Sequence, residues 1–172
     1  MSFYTNANEV KLEVVDTKDG FVLKSDVPSG MTSSANFNNK SIHEASFSFI
    51  LTELRGNDNW PAGANFSFMN IDELYSFHFA LLLDSSISTN VIAVIKLVKN
   101  GELLTDYSQP TEFTSLQEIT LHFKWQDHFI SLAINKDKAV EVPFPHSIGE
   151  FTFGLQSSKG EIGVHLPNKA NQ

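Results

Sequence analysis

Apolar and polar residues alternate with a period of two along most of this chain. Tyr75, Phe77, Phe79, Leu81 and Leu83 form one apolar series, with Ser76, His78 and Ala80 between them. Phe47, Phe49 and Leu51 alternate with Ser46 and Ser48, Ala64, Phe66 and Phe68 with Asn65 and Ser67, and Phe151 and Phe153 with Thr152 and Gly154. Successive side chains of a strand point to opposite faces, so each series predicts a strand with one buried and one polar face. Phe77, Phe79 and Leu81 are expected in the core. Turn signals punctuate the runs: Lys18-Asp19-Gly20, Ser29-Gly30, Arg55-Gly56-Asn57, Asn100-Gly101, Asn135-Lys136-Asp137 and Lys159-Gly160. The pattern predicts about a dozen strands, near 9–15, 20–25, 45–54, 63–69, 74–84, 91–99, 102–106, 117–125, 128–134, 138–142, 149–156 and 160–166. Residues 110–118 fit a short turn, and no stretch reads as a helix.

One hairpin is specified in detail. With a turn at Gln126-Asp127, Trp125 faces His128, Phe123 faces Ile130, Leu121 faces Leu132 and Ile119 faces Ile134. The opposite face then carries Thr120, His122, Lys124, Phe129, Ser131 and Ala133. A slip of one residue scatters the apolar set over both faces. Half-polar antiparallel strands must pair their apolar faces, which two stacked sheets or a closed barrel achieve. The Phe-rich core favours an all-β, two-sheet antiparallel sandwich in a single domain over 1–172. The end strands 9–15 and 160–166 are expected to lie close in space.

Composition narrows the chemistry. The chain has 172 residues and no cysteine, which excludes disulfides, thiol nucleophiles and Cys-ligated zinc. Twelve basic against 20 acidic residues give a net charge of −8, with Arg55 the lone arginine. Nucleic acid needs a basic footprint and favours guanidinium forks, so it is a poor partner. No segment has the length of a membrane span. The N-terminus lacks a basic region followed by an apolar one. A cytoplasmic protein, or one exported without a cleavable signal, is therefore expected. Asn39-Lys40-Ser41 and Asn65-Phe66-Ser67 match the glycosylation acceptor pattern and are read as chance matches.

Three segments carry a resemblance. They are Ala45 to Leu54 with Ala62 to Phe68, Tyr75 to Leu81 with Ile95 to Gly101, and Ile119 to Asn135 with Gly149-Glu150-Phe151-Thr152-Phe153-Gly154-Leu155. Their order resembles the concanavalin A-like lectin/glucanase jelly roll over roughly residues 9–166. The resemblance implies a fold that binds carbohydrate and in some members cleaves it. Glucanase-type members carry a Glu-x-Asp-x-x-Glu strand, and this chain has no such run. Asp72-Glu73 has the wrong spacing for two carboxylates on one strand face, which an acid–base pair requires. The lyase branch uses arginine-rich motifs, from which a single Arg55 departs.

Among candidate binding residues, loop 55–61 ranks first. Trp60 stands outside every alternating run, beside Asn57, Asp58, Asn59 and Pro61. An indole stacks on the apolar face of a sugar while amides and carboxylates bond its hydroxyls. The same oxygens suit calcium, and a plain turn whose Trp60 caps the core edge fits as well. The second candidate is a polar sheet face carrying Asn65, Ser67, Ser76, His78, His122 and Lys124, with Phe129 beside it. Ordinary solvent-facing decoration is the competing reading. The six histidines show no metal-site spacing, and Trp125 is read as core. The sequence thus favours a non-catalytic module that binds a neutral or weakly polar glycan. A module that contacts protein through its sheet edges, or a glycoside-active enzyme, are the alternatives. No cofactor other than calcium is implied, and the oligomeric state stays open.

Overall fold

The computed structural model describes residues 2–5, 10–37, 43–57, 59–70, 74–83, 90–114, 117–126, 129–144 and 148–166. The described residues form β1 (Ser2–Thr5), β2 (Lys11–Thr17), β3 (Gly20–Asp26), β4 (Ser33–Phe37), β5 (Glu44–Leu54), β6 (Gly63–Asn70) and β7 (Tyr75–Leu83). They continue with β8 (Asn90–Lys99), β9 (Glu102–Thr114), β10 (Ile119–Gln126), β11 (Phe129–Ile134), β12 (Val140–Pro143), β13 (Ile148–Gln156) and β14 (Ser158–His165). The first sheet has the order β1-β4-β13-β6-β7-β8-β9 and the second β12-β11-β10-β5-β14-β3-β2. Every pairing between these strands is antiparallel.

The predicted alternation holds. Phe77, Phe79 and Leu81 are buried, as are Phe66 and Phe68, Phe151 and Phe153, and Phe47 and Phe49. Phe47 of the second sheet meets Phe66, Phe151 and Phe153 of the first at ring separations of 5.3, 5.3 and 5.2 Å. Tilted and edge contacts of this kind suit the ring quadrupole better than face-to-face stacking. Trp125 lies in the core against Phe68 and Phe151.

The differences from expectation have physical causes. The β10–β11 hairpin turns one residue later, with Gln126 opposite Phe129 and Trp125 opposite Ile130. Each partner thus moves by two positions, so Phe123 meets Leu132 and Leu121 meets Ile134. A two-residue shift keeps every side chain on its predicted face, and hydrophobic sorting does not resist it. His128, expected opposite Trp125, lies outside the described residues.

Strand β9 continues to Thr114, through the first part of the turn predicted over 110–118, and is more than twice its expected length. As an edge strand its sequence has no need of alternation. Strand β4 buries the small residues Ser33 and Ala35, and its run Ser33-Ser34-Ala35-Asn36 looks like a loop in sequence. The end strands lie close in space as expected, one strand apart in the second sheet with β3 between β2 and β14. At the β8–β9 turn, Asn100 and Gly101 take φ of 50° and 78°, the left-handed pair that a two-residue hairpin requires. Ser157, at φ 45°, carries the chain from β13 in the first sheet to β14 in the second.

Candidate functional site

The two outer faces differ in charge. On the first sheet, register places Ser67 of β6 between His78 of β7 and Thr152 of β13, and Asn65 between Ala80 and Gly154. Strand β4 adds Asn36 opposite Thr152. These positions surround a depression of about 250 Å³ whose lining includes Ser34, Asn65, Ser67, His78, Thr152 and Gly154. Gly154 is obligatory here, since a Cβ would stand 1.9 Å from the Ser33 carbonyl oxygen of the neighbouring strand. With Ala80 it keeps the floor free of bulk.

The polar groups of this face form short chains. His78 Nδ1 is 2.9 Å from Ser67 Oγ and Nε2 is 2.8 Å from Ser76 Oγ. Burial, and secondarily the charge of Lys96, hold His78 below its usual pKa. It is therefore neutral at pH 7. Thr152 Oγ1 donates to Asn36 Oδ1 at 2.9 Å, and the Asn36 amide donates to Glu150. Lys96 pairs with Asp106 at 3.6 Å on the next strand. The middle of the face holds hydroxyls, amides and a neutral imidazole, with charge at its margins.

The second outer face is lined with ion pairs. Asp26 of β3 stands between Lys11 and Lys159, while Lys24 stands between Glu13 and Glu161. Lys24 reaches Glu161 at 3.6 Å and Lys159 reaches Asp26 at 3.9 Å. Arg55 spans Asp26 and Glu53, its Nη2 2.7 Å from Glu53 Oε2. Its hydrogen bonds lower both carboxyl pKa values and raise its own. Further along this face, Lys124 pairs with Glu44 at 3.6 Å, and the same Glu44 oxygen lies 3.0 Å from His122 Nε2.

This geometry corrects the single polar face expected from the sequence. Asn65, Ser67, Ser76 and His78 lie on the first sheet, while His122, Lys124 and Phe129 lie on the second. Alternation says which residues leave the core but not through which sheet. The two sets therefore point in opposite directions.

Loop 55–61 is a tight turn. Asn57 and Trp60 exchange backbone hydrogen bonds, each 3.0 Å long. Asn57 Oδ1 accepts from the N–H groups of Asn59 and Trp60 at 3.0 and 2.9 Å, and its amide donates to Ser29. The Asn57 side chain is thus committed to the turn and is not held ready for a sugar hydroxyl or a calcium ion. Asn59 is exposed, and Asp58 lies outside the described residues. Trp60 is 41% exposed, so its indole is available.

One residue missed by sequence reasoning joins the loop to the first face. Gln156 Nε2 donates to the Pro61 carbonyl at 2.6 Å, and Gln156 Oε1 accepts from Asn65 at 2.9 Å. Pro61, the neighbour of Trp60 in the chain, is thereby tied to Asn65 of the first face. Thr152 and Gln156 were on a polar strand face by alternation. Their placement beside β6 depends on a pairing across some ninety residues that no local signal reports.

No family model matches the chain, and no curated protein matches it in sequence. Solved structures do match in fold. A functionally unknown protein from Saccharomyces cerevisiae is 11% identical, with 96% of each chain covered and a TM-score of 0.56. A tetrameric galectin from the ball sponge Cinachyrella is 12% identical over 78% of this chain and 98% of its own, with a TM-score of 0.53. Congerin II solved with lactose and MES is 11% identical over 77% of this chain and 98% of its own, at 0.52. The chain has the concanavalin A-like jelly-roll fold.

Proposed function

We propose that this protein binds a neutral glycan on the outer face of the first sheet, in the depression between β4, β13, β6 and β7. The observation that carries the reading is the chemistry of that depression. Its lining offers Asn65, Ser67, Thr152 and neutral His78 above a floor of Gly154 and Ala80. Sugar hydroxyls both donate and accept, and uncharged hydroxyls and amides match them without the desolvation that a fixed charge demands. The opposite face carries fixed charges paired among Asp26, Lys24, Glu53, Arg55, Lys159 and Glu161 and is a poorer match. Trp60, next to Pro61 at one end, supplies an indole for a second sugar ring. The lectin-like fold supports this reading, and so does the lactose bound to congerin II.

An array of neutral and acidic oligosaccharides tests it. Neutral glycans should bind, and Ala80→Trp, which fills the depression from its floor, should abolish that binding while the fold persists. An array without any binding would leave a protein-contact role in its place.

A further inference from the structure

The outer face of the second sheet holds an ordered Ser–His–Glu relay. The register of β5 against β10 sets His122 opposite Ser46 and Lys124 opposite Glu44. His122 Nδ1 lies 2.6 Å from Ser46 Oγ, and Nε2 lies 3.0 Å from Glu44 Oε1. An ionised carboxylate only accepts hydrogen bonds. Nε2 therefore carries the imidazole proton, Nδ1 presents its lone pair, and the Ser46 hydroxyl donates into it. That is the polarity in which a general base draws a proton from a nucleophile. A carboxylate also orients the base in serine hydrolases, there through Nδ1 with Nε2 toward the serine, the reverse of the nitrogens used here. His78 on the opposite face is an internal contrast. It sits between two hydroxyls, so nothing fixes its tautomer.

The relay is open to solvent. The His122 and Glu44 side chains are 34% and 37% exposed. On its other side the half-buried Ser46 is in register with the exposed His165 of β14, whose Nε2 leans over Gly163.

We propose that Ser46 is a nucleophile, with His122 as its general base and Glu44 as the positioning residue, and that it accepts a small uncharged acyl group from an ester. Oγ bonds to the carbonyl carbon as its proton passes to His122 Nδ1. The ester C–O bond breaks, and the leaving alcohol takes that proton. Water then adds to the acyl carbon, giving its proton to the same nitrogen. The acid is released, and Ser46 regains its proton.

Incubation of the full chain with p-nitrophenyl acetate, followed by peptide mass mapping, tests this. A single acetyl group should be trapped on Ser46, and a fluorophosphonate should label the same residue. Ser46→Ala should abolish the label, and His122→Asn should slow nitrophenolate release about a hundredfold, the usual worth of a general base. Ser108→Ala, on the exposed edge strand β9, should behave as wild type. In ¹⁵N NMR spectra, Glu44→Gln should convert His122 from a pure Nε2–H tautomer to a mixture, and Glu44→Asp should restore it. Acetylation confined to lysines, an unchanged rate in Ser46→Ala, or a wild-type His122 found as the Nδ1–H tautomer would each overturn the proposal. These readouts use no glycan, so they stand or fall apart from sugar binding on the first sheet.

Discussion

Phe47→Ala removes the ring through which the two sheets make much of their contact. Phe47 is fully buried on β5 and touches Phe66, Phe151 and Phe153 across the sandwich and Phe123 on the adjacent strand. Losing the buried ring forfeits roughly 2 kcal/mol of transfer free energy. A residual cavity of about 100 Å³ adds roughly 2.4 kcal/mol at ~24 cal/mol per Å³. Four lost ring pairs push the total towards about 5 kcal/mol, the upper end for such deletions. Phe79 has ring contacts to Phe66 and Phe123 at the longer separations of 6.3 and 6.1 Å. Phe79→Ala should therefore cost less, about 3–4 kcal/mol. Urea unfolding followed by tryptophan emission measures both, because Trp125 is buried against Phe68 and Phe151 and leaves the core on unfolding. A protein this size holds about 5–15 kcal/mol in total, so Phe47→Ala should retain between about 0 and 10 kcal/mol and unfold at a much lower urea midpoint. A loss below about 1.5 kcal/mol, or a larger loss for Phe79→Ala, would refute this account of the sandwich core.

Trp60→Ala should leave the melting temperature within about 2 °C of wild type, since the indole is exposed. It should weaken neutral-glycan binding by a few-fold to about a hundredfold in titration calorimetry; early unfolding with normal binding would make Trp60 a core cap. His78 has a lowered pKa, so the unfolded chain takes up its proton first. Its contribution to stability is complete above about 6.5 and is lost as pH falls towards the depressed native value. Urea midpoints at pH 7.5, 6.5 and 5.5 should fall accordingly, with a shallower fall in His78→Gln. Ser158 Oγ is buried and has no hydrogen-bond partner among the described residues. Ser158→Ala should thus be neutral or stabilising by up to about 1 kcal/mol, whereas Ser33→Ala, which breaks bonds to Ser25 and Leu155, should destabilise in the same urea assay. Gly154→Ala forces β13 and β4 apart and should lower the melting temperature by several degrees in calorimetry, about 1–3 kcal/mol of stability.

Alternation in a strand is a local property, and the sequence by itself determined what is local. It placed Phe77, Phe79 and Leu81 inside and His78 outside, and it marked the Asn100-Gly101 turn. It also set the buried face of β10, even though the hairpin register moved by two. Strands without alternation escaped it. β9 is an exposed edge, and the residues of β4 described as buried, Ser33 and Ala35, are small, so neither carries a strong apolar alternation. The candidate sites fell between these limits. Local pattern identified Asn65, His78, His122 and Lys124 as outward-facing and Trp60 as unplaced in any strand. Only the tertiary structure decided that the first two and the next two face opposite ways, that Thr152 and Gln156 join Asn65, and that Ser46 and Glu44 meet His122. Those facts depend on which strands pair across long stretches of chain. Pairing partners are chosen by packing the whole core at once, and an alternating strand carries no mark of its neighbour.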